Sequence, residues 1–447
     1  MENQLLAVRA LVLIETRGVP IPEAVERVCG DRPREVRRSV QAFVYETIKH
    51  RNLLDELIRA GSEAEPERIR SPYVKQIVRV GTLEMKLWGN PAPAVTDCMV
   101  RIAKRLVGER AGDFVNAVLR GVERVSVEEV LEDRPWTERL ALRYGHPEWF
   151  VLYALDLFDG DRERVERLLR ANNRIPPQYL RINRLQLDPL TGEEVLRREY
   201  GIVVEPTFLE EVKVLVKGRG YGSKAWREGL FDVQDLASAC ASAALSPEPG
   251  EVVLDVCAAP GSKTTHMAEQ MLDEGTIISI DVSERGLEVL RRRCRRLGIT
   301  CVETVCRDAR GLSPDDLPEV PDRILVDPPC STTGVWNRNP DSRWKPKPLE
   351  KFARREWNIL EPALRIAEEH GCTLVYSTCA VSWEENEAIV KRALEEYNVK
   401  LVDAGVPGSP GLKEFRGERF SGYDKVRRYW PFRHDTAGFF VAKLRGG

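Results

Sequence analysis

Long apolar runs are missing from this chain of 447 residues. None approaches the roughly 20 residues that a membrane span requires. The nearest candidate, LLAVRALVLI, is interrupted by Arg9, stops short of Glu15 and lacks a small-residue cleavage site. It therefore reads as an amphipathic helix and not as a signal peptide, so a cytoplasmic protein without membrane association is expected. A charge of one sign is missing as well. The formal net charge of −2 excludes a globally basic nucleic-acid binder and leaves any such contact to local basic patches. The ten cysteines include no Cys-x-x-Cys, and only five histidines could join them. That spacing supports neither zinc nor a disulfide framework, and no metal is expected. Neither glycine pattern that cradles a phosphate is present: Cys257 and Ser262 occupy the two glycine positions of Gly-x-x-x-x-Gly-Lys-Ser/Thr, and Gly-x-Gly-x-x-Gly does not occur.

What is present divides by periodicity, and the length predicts two or three domains. Residues 1–140 repeat apolar positions at helical spacing, with Gly and Pro at the joins, and predict an all-α domain. In FVNAVLRG, Val115, Val118 and Leu119 form the apolar stripe, with Asn116 and Arg120 on its flank. Arg34, Arg37, Arg38 and Arg51 make this domain a plausible RNA-docking surface. Residues 141–245 continue as linker helices, then shift after Pro176 to short strands and one helix, a small α+β subdomain. Arg181, Asn183, Arg219, Lys224 and Trp226 would line a single-stranded RNA path there, the alternative being a packed sheet with a solvated edge. Residues 246–447 alternate strands and helices, the signature of a doubly wound α/β domain with a mostly parallel sheet.

Chemistry gathers at the ends of those strands, where such sheets bind ligands. Asp255–Thr264, DVCAAPGSKT, is a strand, a tight turn of small residues and a helix start. Gly261 with Ala258 and Ala259 lets the backbone approach a ligand, and Pro260 stiffens the turn. With no phosphate pattern, an adenosine-type cofactor fits best, and S-adenosylmethionine is the leading choice. Asp281 ends the next strand, where a carboxylate accepts both ribose hydroxyls. Asp308 follows a third strand and is placed to meet an adenine amino group. Asp327–Gly334, DPPCSTTG, presents Asp327 and Cys330 on a proline-stiffened turn. Tyr376–Glu387, YSTCAVSWEENE, delivers Cys379 beside Glu384, Glu385 and Glu387. Two cysteines and an aspartate converging on a methyl-donor pocket suit methylation of carbon 5 of a pyrimidine. That carbon becomes nucleophilic only after a thiolate adds at carbon 6. Lys263 and a cationic cofactor would lower the thiol pKa.

These motifs resemble the RsmB/Nop2/Sun family of RNA cytosine carbon-5 methyltransferases. The likeness is most specific in DVCAAPGSKT, DPPCSTTGVWNRNPDSRW and YSTCAVSWEENE, and extends to FRHDTAGFFVAKL, GLFDVQDLAS and YLRIN. FVNAVLRG and the helical first domain resemble the NusB-like domain of one branch. The resemblance implies a Rossmann-like S-adenosylmethionine-dependent methyltransferase domain preceded by a NusB-like RNA-binding domain and a small α+β subdomain. It implies Cys379 as nucleophile, Cys330 assisting proton removal or product release, and Asp327 hydrogen-bonding the cytosine with Lys263 close by. Cys257, Ala258, Ala259, Pro260, Gly261, Ser262, Lys263, Asp281, Asp308 and Asp327 would line the cofactor site, and the target base would be flipped from its RNA context. The chain departs from the pattern at Ser262, Pro328, Thr332 and Ala380, all small changes that remove no reacting group. The expected partner is RNA, ribosomal of the small subunit before transfer RNA, and the expected state is a monomer. A DNA cytosine methyltransferase using Cys330, and a non-catalytic assembly factor, remain as alternatives. The segments RRRCRR (Arg291–Arg296) and KVRRYWPFRH (Lys425–His434) mark where RNA would lie.

Overall fold

The computed structural model describes every residue from Met1 to Gly447. Two compact units emerge, Met1–Asn173 with Asn339–Lys345, and Arg174–Arg338 with Pro346–Gly447.

The first unit is helical throughout. In the helix Glu109–Arg124, Val115, Val118, Leu119 and Val122 recur at steps of three and four residues and are all buried in the main helical core. The apolar spacing predicts a single helical run from Glu35 to Gly61, but the structure breaks it at His50 into Arg34–Lys49 and Arg51–Gly61. The break lets Asn52 Nδ2 donate to the carbonyls of Ala141 and His146 at 2.9 and 3.0 Å. Asn339–Lys345 belongs to this unit although it lies far along the chain. Its Arg343 is fully buried and donates to the carbonyls of Gly145 and Asn172 at 2.6 and 3.2 Å. Trp344 Nε1 donates to the carbonyl of Ile48 at 2.6 Å, and the Arg51 guanidinium lies 5.7 Å from its ring centre. Arg37, expected to face RNA, is paired with Glu26.

The second unit opens with an antiparallel sheet of four strands, β1 (Tyr179–Ile182), β2 (Val203–Pro206), β3 (Val212–Lys217) and β4 (Phe231–Val233), in the order β2-β3-β1-β4. The main sheet is built on β5 (Val252–Val256), β6 (Thr276–Asp281), β7 (Val302–Cys306), β8 (Arg323–Val326) and β9 (Thr373–Thr378). These five run parallel in the order β9-β8-β5-β6-β7. The remaining strands are β10 (Val399–Val402), a two-residue hairpin of β11 (Glu414–Phe415) and β12 (Glu418–Arg419), β13 (Arg427–Tyr429) and β14 (Phe439–Gly446). β14 runs antiparallel between β10 and β9. The chain leaves β5 toward β6 on one side and later returns to β8 on the other, so a cleft opens at the carboxyl ends of β5 and β8. The unit is thus a Rossmann-like methyltransferase domain preceded by a small α+β sheet.

A buried ion pair and a buried hydrogen bond hold the small sheet to the helix Ser262–Gln270, which follows β5. Arg181 and Glu269 are both fully buried and meet through two hydrogen bonds of 2.8 and 2.7 Å. His266 Nε2 lies 2.9 Å from Glu211 Oε1. Arg181 also donates to the carbonyl of Ser262 at 2.7 Å and so reaches the first turn of that helix.

This overturns part of the expected RNA path. Arg181 and Asn183 are fully buried, and Asn183 Nδ2 donates to the carbonyls of Gly229 and Leu297 at 2.8 and 2.9 Å. Trp226 is half-buried beneath the Arg296 guanidinium, 4.2 Å from its ring centre, while Arg219 and Lys224 stay exposed. The basic segments are corrected likewise. Within Arg291–Arg296, Arg293 and Arg296 pair with the buried Asp232, and Arg291 pairs with Glu284. Arg427 pairs with Asp403 and Arg428 with Glu387, so those charges are spent inside the fold.

Breaking a buried pair strands the surviving charge in a dry interior. Glu269→Ala is therefore expected to lower unfolding free energy by about 3–5 kcal/mol, read from urea denaturation, with little loss when Arg181→Met and Glu269→Leu are combined.

Candidate active site

The loop after β5 is shaped by its own residues. Cys257 adopts φ +66°, Ala259–Pro260 is a cis peptide, and Gly261 sits at φ +96°. A Cβ on Gly261 would meet Leu290 Cδ1 at 2.3 Å, so only glycine fits against the helix Glu284–Leu297. Asp281, at the end of β6, accepts from the backbone N–H of Ala259 at 3.1 Å and of Ser283 at 2.8 Å. Ala258 N–H donates to the carbonyl of Ile280 at 3.0 Å. The turn Cys257–Ser262 is thereby laid across the ends of β5 and β6. Beneath it, Asp255 accepts from Thr264 Oγ1 at 2.6 Å, and burial pushes its carboxyl up to about 7.

Asp327, just past β8, has both oxygens occupied. Lys263 Nζ donates to Oδ2 at 2.6 Å and Ser377 Oγ, from β9, to Oδ1 at 2.7 Å. Burial works against the Lys263 charge, but Asp327 more than offsets it and the ammonium is held above its ordinary range. Lys263 Nζ also lies 5.2 Å from the ring centre of Phe439.

Cys330 Sγ and Cys379 Sγ, carried by the loops after the neighbouring strands β8 and β9, are 3.0 Å apart. Cys330 is buried and Cys379 half-exposed. The hydrogen bond to Cys379 and then burial hold the Cys330 thiol well above its ordinary value, so Cys330 stays protonated. Cys257 is different. Burial and the carboxylates of Asp281, Asp327 and Asp255 push it up to about 12, which leaves it an unreactive wall of the cleft.

A polar frame fixes both cysteine loops. Glu385 accepts from Ser331 N at 2.6 Å, from Ser331 Oγ at 2.7 Å and from Ser382 Oγ. Thr378 Oγ1 donates to Asn386 Oδ1 at 2.6 Å, and Asn386 Nδ2 to the carbonyl of Ala380 at 3.1 Å. Arg428, buried against Glu387, donates to the carbonyls of Val381 and Ser382 at 2.9 and 3.2 Å. Gly334 N–H donates to the carbonyl of Cys379 at 2.9 Å, and a Cβ there would strike the carbonyl oxygen of Gly438 at 2.1 Å.

The structure thus brings Cys257–Lys263, Asp281, Asp327, Cys330 and Cys379 to one edge of the sheet. Asp308 lies past β7 at the same edge, but its carboxylate is taken up by Arg310, whose guanidinium and backbone N–H hold it down to about 2. Sequence reasoning missed Ser377, which the motif Ser-Thr-Cys places two residues before Cys379. It also missed the Arg428–Glu387 pair and Glu356, a buried carboxyl on the helix Leu349–His370. For Glu356 the signal was available, since it falls in phase with Leu349, Leu360 and Ala363 on the buried stripe.

The donor set suits S-adenosylmethionine. Asp281 places a carboxylate where a ribose diol would be held, the helix start at Ser262 supplies backbone N–H groups, and the close packing of Gly261 keeps the turn low. Comparison with known proteins agrees. Residues 242–445 match the family described as 16S rRNA methyltransferase RsmB/F, and residues 1–124 match the NusB family. The "Probable ribosomal RNA small subunit methyltransferase B" of Bacillus subtilis (strain 168) is 33% identical over 411 residues, covering 90% of this chain and 89% of its own. "Ribosomal RNA small subunit methyltransferase B" of Vibrio cholerae is 30% identical, covering 89% of each chain. Among solved structures, that of PH0851 superposes with a TM-score of 0.80 at 25% identity, over 99% of this chain and 98% of the other. NSun6 from Pyrococcus horikoshii, solved with SFG, gives 0.59 at 26% identity over 67% of this chain and 98% of the other. The cofactor is S-adenosylmethionine. With a NusB domain ahead of the methyltransferase fold and a third of its residues shared with a relative across nine-tenths of its length, the chain belongs to the ribosomal RNA small subunit methyltransferase B family.

Proposed function

We propose that this enzyme methylates carbon 5 of one cytosine in small-subunit ribosomal RNA through a covalent Cys379 adduct. The observation that carries this reading is the 3.0 Å contact between Cys330 and Cys379 beside the Lys263–Asp327 pair. A single thiol would suit packing. Two sulfurs in contact at the rim of a methyl-donor cleft suit addition to a pyrimidine ring.

In this reading the roles follow from exposure and contact. Cys379, the more exposed sulfur, adds at carbon 6 as the thiolate, with Cys330 donating to it and the Lys263 ammonium nearby stabilising its charge. Asp327, held by Lys263 and Ser377, accepts from the cytosine amino group and orients the ring. S-Adenosylmethionine supplies the methyl group as an electrophilic sulfonium. Release then requires loss of the carbon-5 proton and return of the carbon–sulfur electron pair to Cys379. Cys330 serves both needs. It passes its proton to the departing Cys379 sulfur and takes the carbon-5 proton in exchange, so both thiols end protonated and the base leaves aromatic.

The names of the relatives support RNA of the small ribosomal subunit as substrate. We take the helical domain, residues 1–140, to dock the RNA, residues 141–245 to join it to the catalytic domain, and residues 246–447 to carry the reaction. Cys257–Lys263, Asp281, Asp308 and Asp327 line the cofactor site in this scheme, Asp308 exchanging its Arg310 contact for the adenine amino group. We further take the enzyme to act as a cytoplasmic monomer; no helix is long and apolar enough to cross a membrane.

Two experiments test the reading. Cys379→Ala is expected to cut turnover by on the order of 10⁴ or more, whereas Cys330→Ala should accumulate an RNA–protein adduct that survives a denaturing gel. An active Cys379→Ala variant would sink the assignment. Bisulfite sequencing of all RNA from cells with and without the gene should show one small-subunit ribosomal cytosine losing its mark. Loss confined to transfer RNA would keep the chemistry and refute the substrate.

A further inference from the structure

The helix Leu349–His370 buries one carboxyl that no step above uses. Glu356 is fully buried, and the ionisable groups that act on it are Glu385, Cys330 and Tyr376, each neutral or negative. An oxygen of Glu356, an oxygen of Glu385 and Cys330 Sγ all lie within 4.8 Å of one another. No N–H or O–H reaches Glu356 Oε1. Tyr376 Oη lies 3.3 Å from Oε2, but its single proton has a shorter bond to make, 2.8 Å to the carbonyl of Glu385.

A carboxylate without donors in a dry interior is costly, whereas a carboxylic acid brings its own donor. The acceptor for it is at hand, because an oxygen of Glu385 lies within 4.8 Å of one of Glu356. Burial first, and the Glu385 charge second, push the Glu356 carboxyl up to about 12. One proton between two buried carboxyls is the expected outcome when like charges cannot both ionise.

We propose that Glu356 is a neutral carboxylic acid that donates to Glu385, and that this pair positions the two reacting sulfurs. The proposal rests on the reading of Cys379 and Cys330 as the reacting pair. Glu385 is the common anchor: it holds Ser331, the neighbour of Cys330, and Ser382, three residues past Cys379. The Glu356 proton fixes the orientation of that anchor and keeps a second negative charge away from Cys330, the neighbour of the reacting Cys379 sulfur. Glu356 is a positioning residue, too deeply buried to touch RNA.

The test is an infrared difference spectrum of the full-length enzyme against Glu356→Gln at neutral pH, in water and in deuterium oxide, paired with steady-state kinetics. A protonated-carboxyl stretch that shifts in deuterium oxide and vanishes in the variant is expected. Glu356→Gln, which keeps a neutral donor, should retain kcat to within about threefold, while Glu356→Ala should lose about tenfold or more with KM for RNA unchanged. Absence of the stretch overturns the proposal. So does a Glu356→Gln variant as impaired as Glu356→Ala, since the proton would then be transferred and not merely held. Should Glu356→Ala fail to fold, the spectrum of the wild-type enzyme still decides. A methyl group found on an atom other than carbon 5 would sink the proposed function and leave the infrared result standing.

Discussion

The Lys263–Asp327 ion pair is the contact on which the catalytic edge of the sheet depends. Lys263 comes from the helix after β5, Asp327 from the end of β8, and Ser377, the third partner, from β9. One carboxylate therefore ties three adjacent strand ends together at the place where the strand order reverses. The pair also sets the charge pattern of the cleft. The Lys263 ammonium stands near Cys379, and the Asp327 carboxylate neutralises it. Taking either partner away would leave the other's charge without its counterion.

Buried arginines repeat this device elsewhere in the fold. Arg181 ties the small sheet to the helix after β5 through Glu269, and Arg428 locks the loop after Cys379 through Glu387. In the helical unit, Arg79 meets Asp55 through two hydrogen bonds of 2.7 and 2.8 Å. Such pairs add little net stability compared with apolar packing, yet their fork geometry admits one arrangement only. Register between elements is what they supply.

Much of the fold was legible in the sequence, because strand ends and motifs coincide. β5, β6, β8 and β9 each run as apolar residues straight into Cys257, Asp281, Asp327 and Cys379, and the buried stripe of Glu109–Arg124 follows its period. The illegible parts are long-range. Arg181 looks like any basic residue on a strand until Glu269, far along the chain, is folded beside it. The basic run Arg291–Arg296 reads as a nucleic-acid surface until Asp232 claims two of its members. Glu356 follows Arg354 and Arg355 in a charged helix, and the packing of Leu349–His370 is what buries it.

The stretch Asn339–Lys345 carries a consequence for how the chain can be taken apart. It lies between the cysteine loop after β8 and the helix Leu349–His370, yet its Arg343 and Trp344 are core residues of the helical unit. No single cut releases that unit intact. A fragment ending at Asn173 would leave the carbonyls of Ile48, Gly145 and Asn172 without the donors that now reach them. Excising the helical unit as an independent module would thus require the heptapeptide as well, added as a separate strand of chain or grafted through a new loop. The two halves share a sentence of sequence, and neither can be copied out without it.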